Sequence, residues 1–398
     1  MTDIRYWLWL QQCLGEGVQF KHILEDFGSV EELYHSNIMQ WRMSPALTPK
    51  QLDRLAKYSL EDTKKTVAVC QQNGWQLIGF DDARYPEKLR QIVNPPAVLY
   101  CEGRLIDFDA TAVIAIVGTR KASPYAVKVA QLMAKGVSLC GAAVVSGGAL
   151  GVDAAAHRGA MAAGAKTYAV LGCGLGTDYL RANLELRESI VKNGGALITE
   201  YPPYTQATRN TFPLRNRLIS ALSDGVLVVE AGVKSGSTIT AQHALEQGKD
   251  VFAVPASLLD YNFYGTNKLI DDGATVATSP LVLVERYAAQ YATLDLSKAK
   301  TLRELAETPD SANAEKKEQL TFDEVPKERK QRLINEEKAM ALTGDEKSVY
   351  QALTAELCGI EEIIQKCGLP AHKAAAALTL LELKGLCESA SGKRYKAK

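Results

Sequence analysis

The sequence has 398 residues, 46% hydrophobic and 23% charged, which is too long for one ordinary core and typical of a globular chain with two or three domains. Its 46 basic and 46 acidic residues cancel, so a nucleic-acid partner has to be drawn by local patches and not by the field of the whole molecule. No apolar run approaches the roughly 18 residues of a membrane span, Met1-Thr2-Asp3-Ile4-Arg5 does not open a signal peptide, and the eight cysteines form no CxxC pair. The expectation is a cytoplasmic protein with no membrane contact, zinc ribbon or redox pair.

Residues 1 to 78 read as a domain of short helices. Tyr6-Trp7-Leu8-Trp9-Leu10 opens an apolar face, and the run from Ile23 to Leu33 reads helix, turn, helix, with Gly28 as a C-cap and Ser29 as an N-cap. A glycine turn of this kind can present N–H groups to a DNA phosphate. The absence of a lysine cluster there favours a docking domain instead. A connector follows, in which Pro95-Pro96 should extend the chain into a strand.

From residue 79 to 290, strand-like and helix-like segments alternate. Apolar runs sit at 113–117, 142–145, 167–171, 196–199, 226–229 and 251–254. Continuous hydrophobicity marks strands buried on both faces, as in a parallel sheet with helices on either side. Right-handed crossovers then carry every strand's C-terminus to one edge, where such folds bind ligands. The unusual motifs all fall just after these strands: Gly118-Thr119-Arg120, Ser146-Gly147-Gly148, Gly172-Cys173-Gly174, Glu200-Tyr201-Pro202-Pro203 and the run from Glu230 to Thr238. They should converge on one groove.

Residues 291 to 338 are rich in charge and poor in apolar runs, which predicts a linker. Residues 339 to 398 then read as three helices and a hairpin, a winged helix. Its expected helices run from Asp345 to Leu353, Ile360 to Lys366 and Ala371 to Lys384, the last capped by Gly385. The tip carries Lys393-Arg394-Tyr395-Lys396. The third helix, Ala374-Ala375-Ala376-Ala377-Leu378, is poor in base-reading side chains, so protein contact is as well supported as DNA reading.

Glycines where a strand hands over to a helix let the backbone approach an anion, with the helix N–H groups pointing at it. Ser146, Gly147 and Gly148 form such a loop, and Arg120 stands beside it as a guanidinium fork for phosphate. Asp153 and His157 lie one helical turn apart. With no third ligand nearby, they read as a structural pair, the aspartate favouring the helix dipole and bonding the histidine. Arg209, Arg215 and Arg217, beside Tyr201, Tyr204 and Phe212, suggest a cationic and aromatic stripe for a single strand, although Arg217 can equally be a buried ion-pair partner. Lys234, Ser235, Gly236, Ser237 and Thr238 resemble an anion loop, but no Walker A sequence occurs. GxSxG and HExxH are also missing. Glu200 and Glu230 each follow a strand and could form a carboxylate pair, yet Thr240 stands where a related hydrolase needs a carboxylate.

Taken together, Gly118-Thr119-Arg120, the loop from Ser146 to His157, Phe212-Pro213-x-Arg215-Asn216-Arg217, Ser235-Gly236-Ser237-x-Ile239-Thr240-Ala241 and Gly265-Thr266-Asn267-x-Leu269-Ile270 resemble the DprA/Smf family over about residues 80 to 280. Asp82-x-Arg84-Tyr85-Pro86 and Pro95-Pro96-x-x-Leu99-Tyr100 fit as well. The resemblance implies an extended Rossmann-like parallel sheet with a helical (SAM/helix-hairpin-like) N-terminal domain and a C-terminal winged helix. It further implies a homodimeric single-stranded DNA-binding recombination mediator that protects incoming DNA during natural transformation and loads RecA, with no cofactor, metal or catalytic residue. By position, Arg120 and Lys234 match groove cations, residues 146–148 match the phosphate-holding loop, and Arg181 matches a basic residue that follows a Tyr-Pro pair, here Tyr179-Leu180. Tyr261-Asn262-Phe263-Tyr264 departs from the small residues usual at that place. A helix near Ile219 or Leu245 could form the dimer surface. The alternative is a phosphoribohydrolase-like, nucleotide-processing enzyme on a similar scaffold. It needs a glutamate where this chain reads Gly236-Ser237-Thr238-Ile239-Thr240.

Overall fold

A computed structural model describes residues 2–178, 181–233, 235–307, 342, 344–353, 358–384, 386–390 and 394–397. The chain divides into two compact units, residues 1–314 and 315–398.

The first unit opens with short helices α1 (Ile4–Leu14), α2 (Phe20–Phe27), α3 (Val30–His35), α4 (Ile38–Met43), α5 (Pro49–Lys57) and α6 (Leu60–Gln72). Local chemistry sets their ends. Gly28 turns at a φ of 84°, and the Ser29 side chain accepts from the Glu32 N–H. The helices do not form a core of their own. Trp7, Leu10 and Leu14 of α1 pack with Tyr100, Leu171 and Leu197 of the sheet region in one apolar cluster. Tyr100 donates its hydroxyl to Gln11 at 2.8 Å, and Gln11 donates to the Glu200 carbonyl at 2.5 Å.

The connector supplies β1 (Gln76–Gly79), α7 (Glu87–Arg90) and, after Pro95-Pro96, β2 (Val98–Gly103). The alternating region then runs β3 (Val113–Val117), α8 (Pro124–Leu139), β4 (Ala143–Ser146), α9 (Val152–Ala162), β5 (Thr167–Val170), α10 (Leu184–Lys192), β6 (Ala196–Thr199), α11 (Thr211–Ala221), β7 (Gly225–Val228), α12 (Gly236–Glu246), β8 (Asp250–Ala253), α13 (Tyr264–Asp271) and β9 (Thr275–Val276). Among the described residues these strands make one nine-stranded sheet, ordered β1-β2-β6-β5-β4-β3-β7-β8-β9. Strands β3 to β9 are parallel to one another, whereas β2 pairs antiparallel with β6 and β1 antiparallel with β2 at one edge.

The continuous apolar runs have the reason expected of them. Along β3, Val113, Ala115 and Val117 enter the core on one face, while Ile114 and Ile116 enter the core on the other. The strand order reverses at β3, which lies between β4 and β7. The C-terminal ends of β3 and β7 therefore flank the switch point, where loops diverge and leave a crevice.

The predicted linker needs correction at its start. After α14 (Pro280–Val284), Tyr291 and Leu305 are buried, and Leu294, Leu296, Ala299 and Leu302 pack on the α8 side of the sheet. The Asp295 N–H donates to the Cys140 carbonyl at 2.9 Å. Apolar residues spaced through α15 (Leu302–Glu307) carry this packing, although the charged composition conceals it. The rest of the predicted linker, residues 308–338, lies outside the described residues.

The second unit contains α16 (Gly344–Ala352), β10 (Cys358–Gly359), α17 (Ile360–Cys367), α18 (Ala371–Leu383), β11 (Cys387–Ala390) and β12 (Arg394–Ala397). Its strands are ordered β10-β12-β11. Val349, Ile363, Leu378, Leu381 and Leu386 form its core, and Gly368 ends α17 in the left-handed conformation. This is a winged helix. Gly385 and Lys393, singled out in the sequence, lie outside the described residues.

Candidate functional site

At the switch point, the turn after β3 is tied to the end of β7. The Thr119 N–H donates to the Glu230 carbonyl at 2.9 Å. The Ser123 N–H and hydroxyl donate to the Glu230 carboxylate at 2.9 and 2.6 Å. The Val152 N–H donates to the Thr119 carbonyl at 3.2 Å, so the turn also meets the start of α9. Gly118 lies against Val152 here. Arg120 is exposed on this frame, with its guanidinium carbon 4.4 Å from the centroid of the Phe212 ring. Phe212 in turn lies over Gly172, where an added Cβ would approach the ring to 2.9 Å. The cation–π contact holds the guanidinium on the Phe212 ring, beside the start of α9.

The glycine loop after β4 is built differently from the simple anion cradle expected of it. Ser146 is fully buried and donates its hydroxyl to the Ile116 carbonyl at 2.6 Å. The Gly147 and Ala149 N–H groups donate to the Asp153 carboxylate at 3.1 and 3.3 Å. Asn183 donates to the Gly148 carbonyl at 3.1 Å. Asp153 therefore occupies the loop's amides as an internal anion, and direct phosphate contact by Ser146 and Gly147 is ruled out in this conformation. Burial raises the Asp153 pKa from its ordinary value, with Arg215 acting in the opposite direction.

Arg215 and Arg217 are corrected from groove cations to buried supports. Arg215 is 4% exposed, donates to the Gly147 carbonyl at 2.7 Å and to the Val170 carbonyl, and bonds Asn216. Burial lowers its pKa from the ordinary value. An ideal Cβ on Gly147 would stand 2.6 Å from the Asp153 carboxylate and 2.7 Å from the Arg215 guanidinium. Only glycine fits between the two. Arg217, 2% exposed, pairs with Glu200 at 2.6 Å. Their helix, α11, turns its arginines toward the sheet, so the expected stripe with Arg209 is not assembled. Arg209 and Tyr204 are exposed, but Tyr201 is buried.

His157 is also reassigned. It bonds the Thr167 hydroxyl at 2.7 Å, while Asp153 is engaged by the glycine loop. Burial pushes the histidine down to about 3, so it is neutral at physiological pH. Glu200 and Glu230, the possible carboxylate pair, are each engaged by another residue, Glu200 by the buried Arg217 and Glu230 by the partly buried Ser123.

On the β7 side, Ser235 caps α12 and shares a 2.7 Å bond with the Ser237 hydroxyl. Thr238 donates its hydroxyl to the Ser235 carbonyl at 2.6 Å. Asn216 donates to the Gly236 carbonyl at 3.2 Å, joining α11 to this loop. Lys234 lies outside the described residues, as do Tyr179 and Leu180. Arg181 opens a short 3-10 turn, Arg181–Asn183, and its side chain is not described. Sequence reasoning missed Asn183 and Ser123, which fix the two loops. Ser123 before Pro124 carried a helix-cap signal, whereas Asn183 carried none.

Comparison with known proteins gives a consistent result. The family model described as DNA recombination-mediator protein A matches residues 76–288, and the DprA winged helix domain matches residues 335–393. The chain is 40% identical over 210 residues to the DNA processing protein DprA of Bacillus subtilis, covering 53% of this chain and 70% of that protein. It is 36% identical over 239 residues to protein Smf of Escherichia coli, covering 60% of this chain and 64% of that one. The X-ray structure of DNA processing protein A from Streptococcus pneumoniae is similar with a TM-score of 0.62 and 31% identity, over 73% of this chain and 99% of that one.

Proposed function

The chain belongs to the DNA recombination-mediator protein A family, and from that premise we propose that it binds single-stranded DNA at the switch-point edge and presents it to a RecA recombinase. The observation that carries this reading is Arg120, exposed over Phe212 beside the N-terminus of α9. A cation on an aromatic ledge meets the backbone and leaves room for an unpaired base, which a duplex cannot offer.

Arg120 and the rim residues Gly118 and Thr119 are the proposed phosphate contacts, joined by Ser235, Gly236, Ser237 and Thr238 at the start of α12. On the resemblance alone, Lys234 and Arg181 are further contacts. Asp153 and Arg215 act as positioning residues for the glycine loop. The protein works in the cytoplasm, during natural transformation, without catalysis. The ion pair of Glu200 with Arg217 and the bonds from Ser123 to Glu230 weigh against a hydrolase. The exposed Leu245 on α12 and Val276 on β9, at the open end of the sheet, are the proposed contact with a second copy.

The test is anisotropy titration of the full chain against oligothymidine and a duplex of equal length at two salt concentrations. Tight binding to the single strand that weakens steeply with salt is expected. Equal binding of strand and duplex overturns the reading. RecA loading is tested separately, by filament assembly on DNA precoated with a single-strand-binding protein. Failure of this chain to accelerate assembly removes that part.

A further inference from the structure

Beside Arg120 the surface carries rings and cations that the reading above does not use. Tyr125, in the first turn of α8, is 51% exposed. Lys121 precedes it by four residues and Lys128 follows by three, and both are exposed. The spacing puts Tyr125 and Lys128 on one helix face. Neither lysine pairs with a carboxylate among the described residues.

The ring of Tyr125 meets that of Phe263 edge-on, with centroids 5.6 Å apart. Phe263 is buried, and on either side of it Tyr261 is 83% and Tyr264 52% exposed. This β8–α13 connection is a fixed frame. The Gly265 N–H donates to the Ala231 carbonyl at 2.7 Å, Asp260 accepts from the Asn262 N–H at 3.0 Å, and Asn267 donates to the Ala256 carbonyl at 3.2 Å. Large rings held out in water on a pinned turn gain nothing for the fold. Together with Arg120, Lys121 and Lys128, they supply the combination of backbone cations and sequence-tolerant stacking surfaces that a single strand needs.

We propose that Tyr261 and Tyr264, with Tyr125, form a base-stacking platform that continues the phosphate track from Arg120 along Lys121 and Lys128. This rests on the single-strand reading above and adds a site to it. The platform holds bases by their faces, so it takes any unpaired sequence and excludes duplex.

The test compares the full chain with its Tyr261→Ala/Tyr264→Ala variant, using oligothymidine and an abasic oligonucleotide of equal length. Both side chains are exposed, so the melting temperature should not move. The variant should bind oligothymidine about tenfold more weakly, from the usual strength of one stacked base. It should bind the abasic strand as the parent does, and Tyr261→Phe/Tyr264→Phe should retain parental affinity. Unchanged affinity for oligothymidine, or equal losses on both strands, overturns the platform. So does a fall in oligomeric mass by sedimentation with DNA affinity unchanged, which assigns the rings to a second copy. If the parent binds neither strand, the single-strand reading itself fails. Parental binding that the variant leaves intact removes only the platform.

Discussion

Arginine carries three different jobs within a hundred residues of this chain, and burial separates them. Arg120 is exposed on an aromatic ledge, Arg215 is buried against carbonyls, and Arg217 is buried against a carboxylate. Replacing Arg120 by alanine should weaken binding to all single strands about equally and lower the salt slope by about one. Anisotropy at three or more salt concentrations reads both effects, and an unchanged slope removes Arg120 from the phosphate track. Arg217→Ala should destabilise the fold by about 3–5 kcal/mol by stranding Glu200, whereas Arg217→Met with Glu200→Leu should be close to neutral. Urea denaturation separates the two. His157 adds a pH dependence. Its folded pKa of about 3 lies below the ordinary 6.5, so its stabilising contribution is whole above 6.5 and is lost as pH falls toward 3. The limiting slope is about 1.4 kcal/mol per pH unit. His157→Gln should flatten the fall in stability between pH 6.5 and 4. A parallel fall in parent and variant would refute this.

At the scale of the element, the loop after β4 is held by its own aspartate, a consequence of α9 beginning five residues after Gly147. Gly147→Ala forces a methyl group between Asp153 and Arg215, and the expected loss is about 1–3 kcal/mol of stability. Retention of the parental denaturation midpoint would mean that the loop relaxes at little expense. The six apolar strands were legible because a strand buried on both faces must be continuously hydrophobic, and each lies within a residue or so of its expected place. The antiparallel edge was less legible. β1 is only half buried and lacks the continuous apolar run of the others, and nothing in Gln76-Leu77-Ile78-Gly79 tells which strand it will join.

Across the whole molecule, the N-terminal helices and the sheet share one apolar cluster, while residues 315–398 form a separate unit. A chain ending at residue 314 should therefore keep its melting transition and bind oligothymidine within about threefold of the full chain. A tenfold loss would assign DNA contacts to the winged helix. The helical region and the sheet should melt in a single step, followed by tryptophan fluorescence, since Trp7 and Trp9 sit in the shared cluster. Two separated transitions would contradict a common core.

The strands, the layering of helices on the sheet, the winged helix and the edge on which the motifs gather can be read from residue order alone. These follow from periodicity, caps and crossover handedness, all of which are local or nearly so. Which polar groups on that edge face water is set by the packing of distant segments. Arg120 and Arg217 are the same residue type near the same sheet edge, yet one follows a strand into the crevice and the other lies on the inward face of α11. Helical spacing makes Asp153 a partner of His157, since both lie on one helix face, but the glycine loop folds back and reaches Asp153 first. Exposure and pairing depend on which distant segments close around a side chain, and a pattern along one chain does not contain that information.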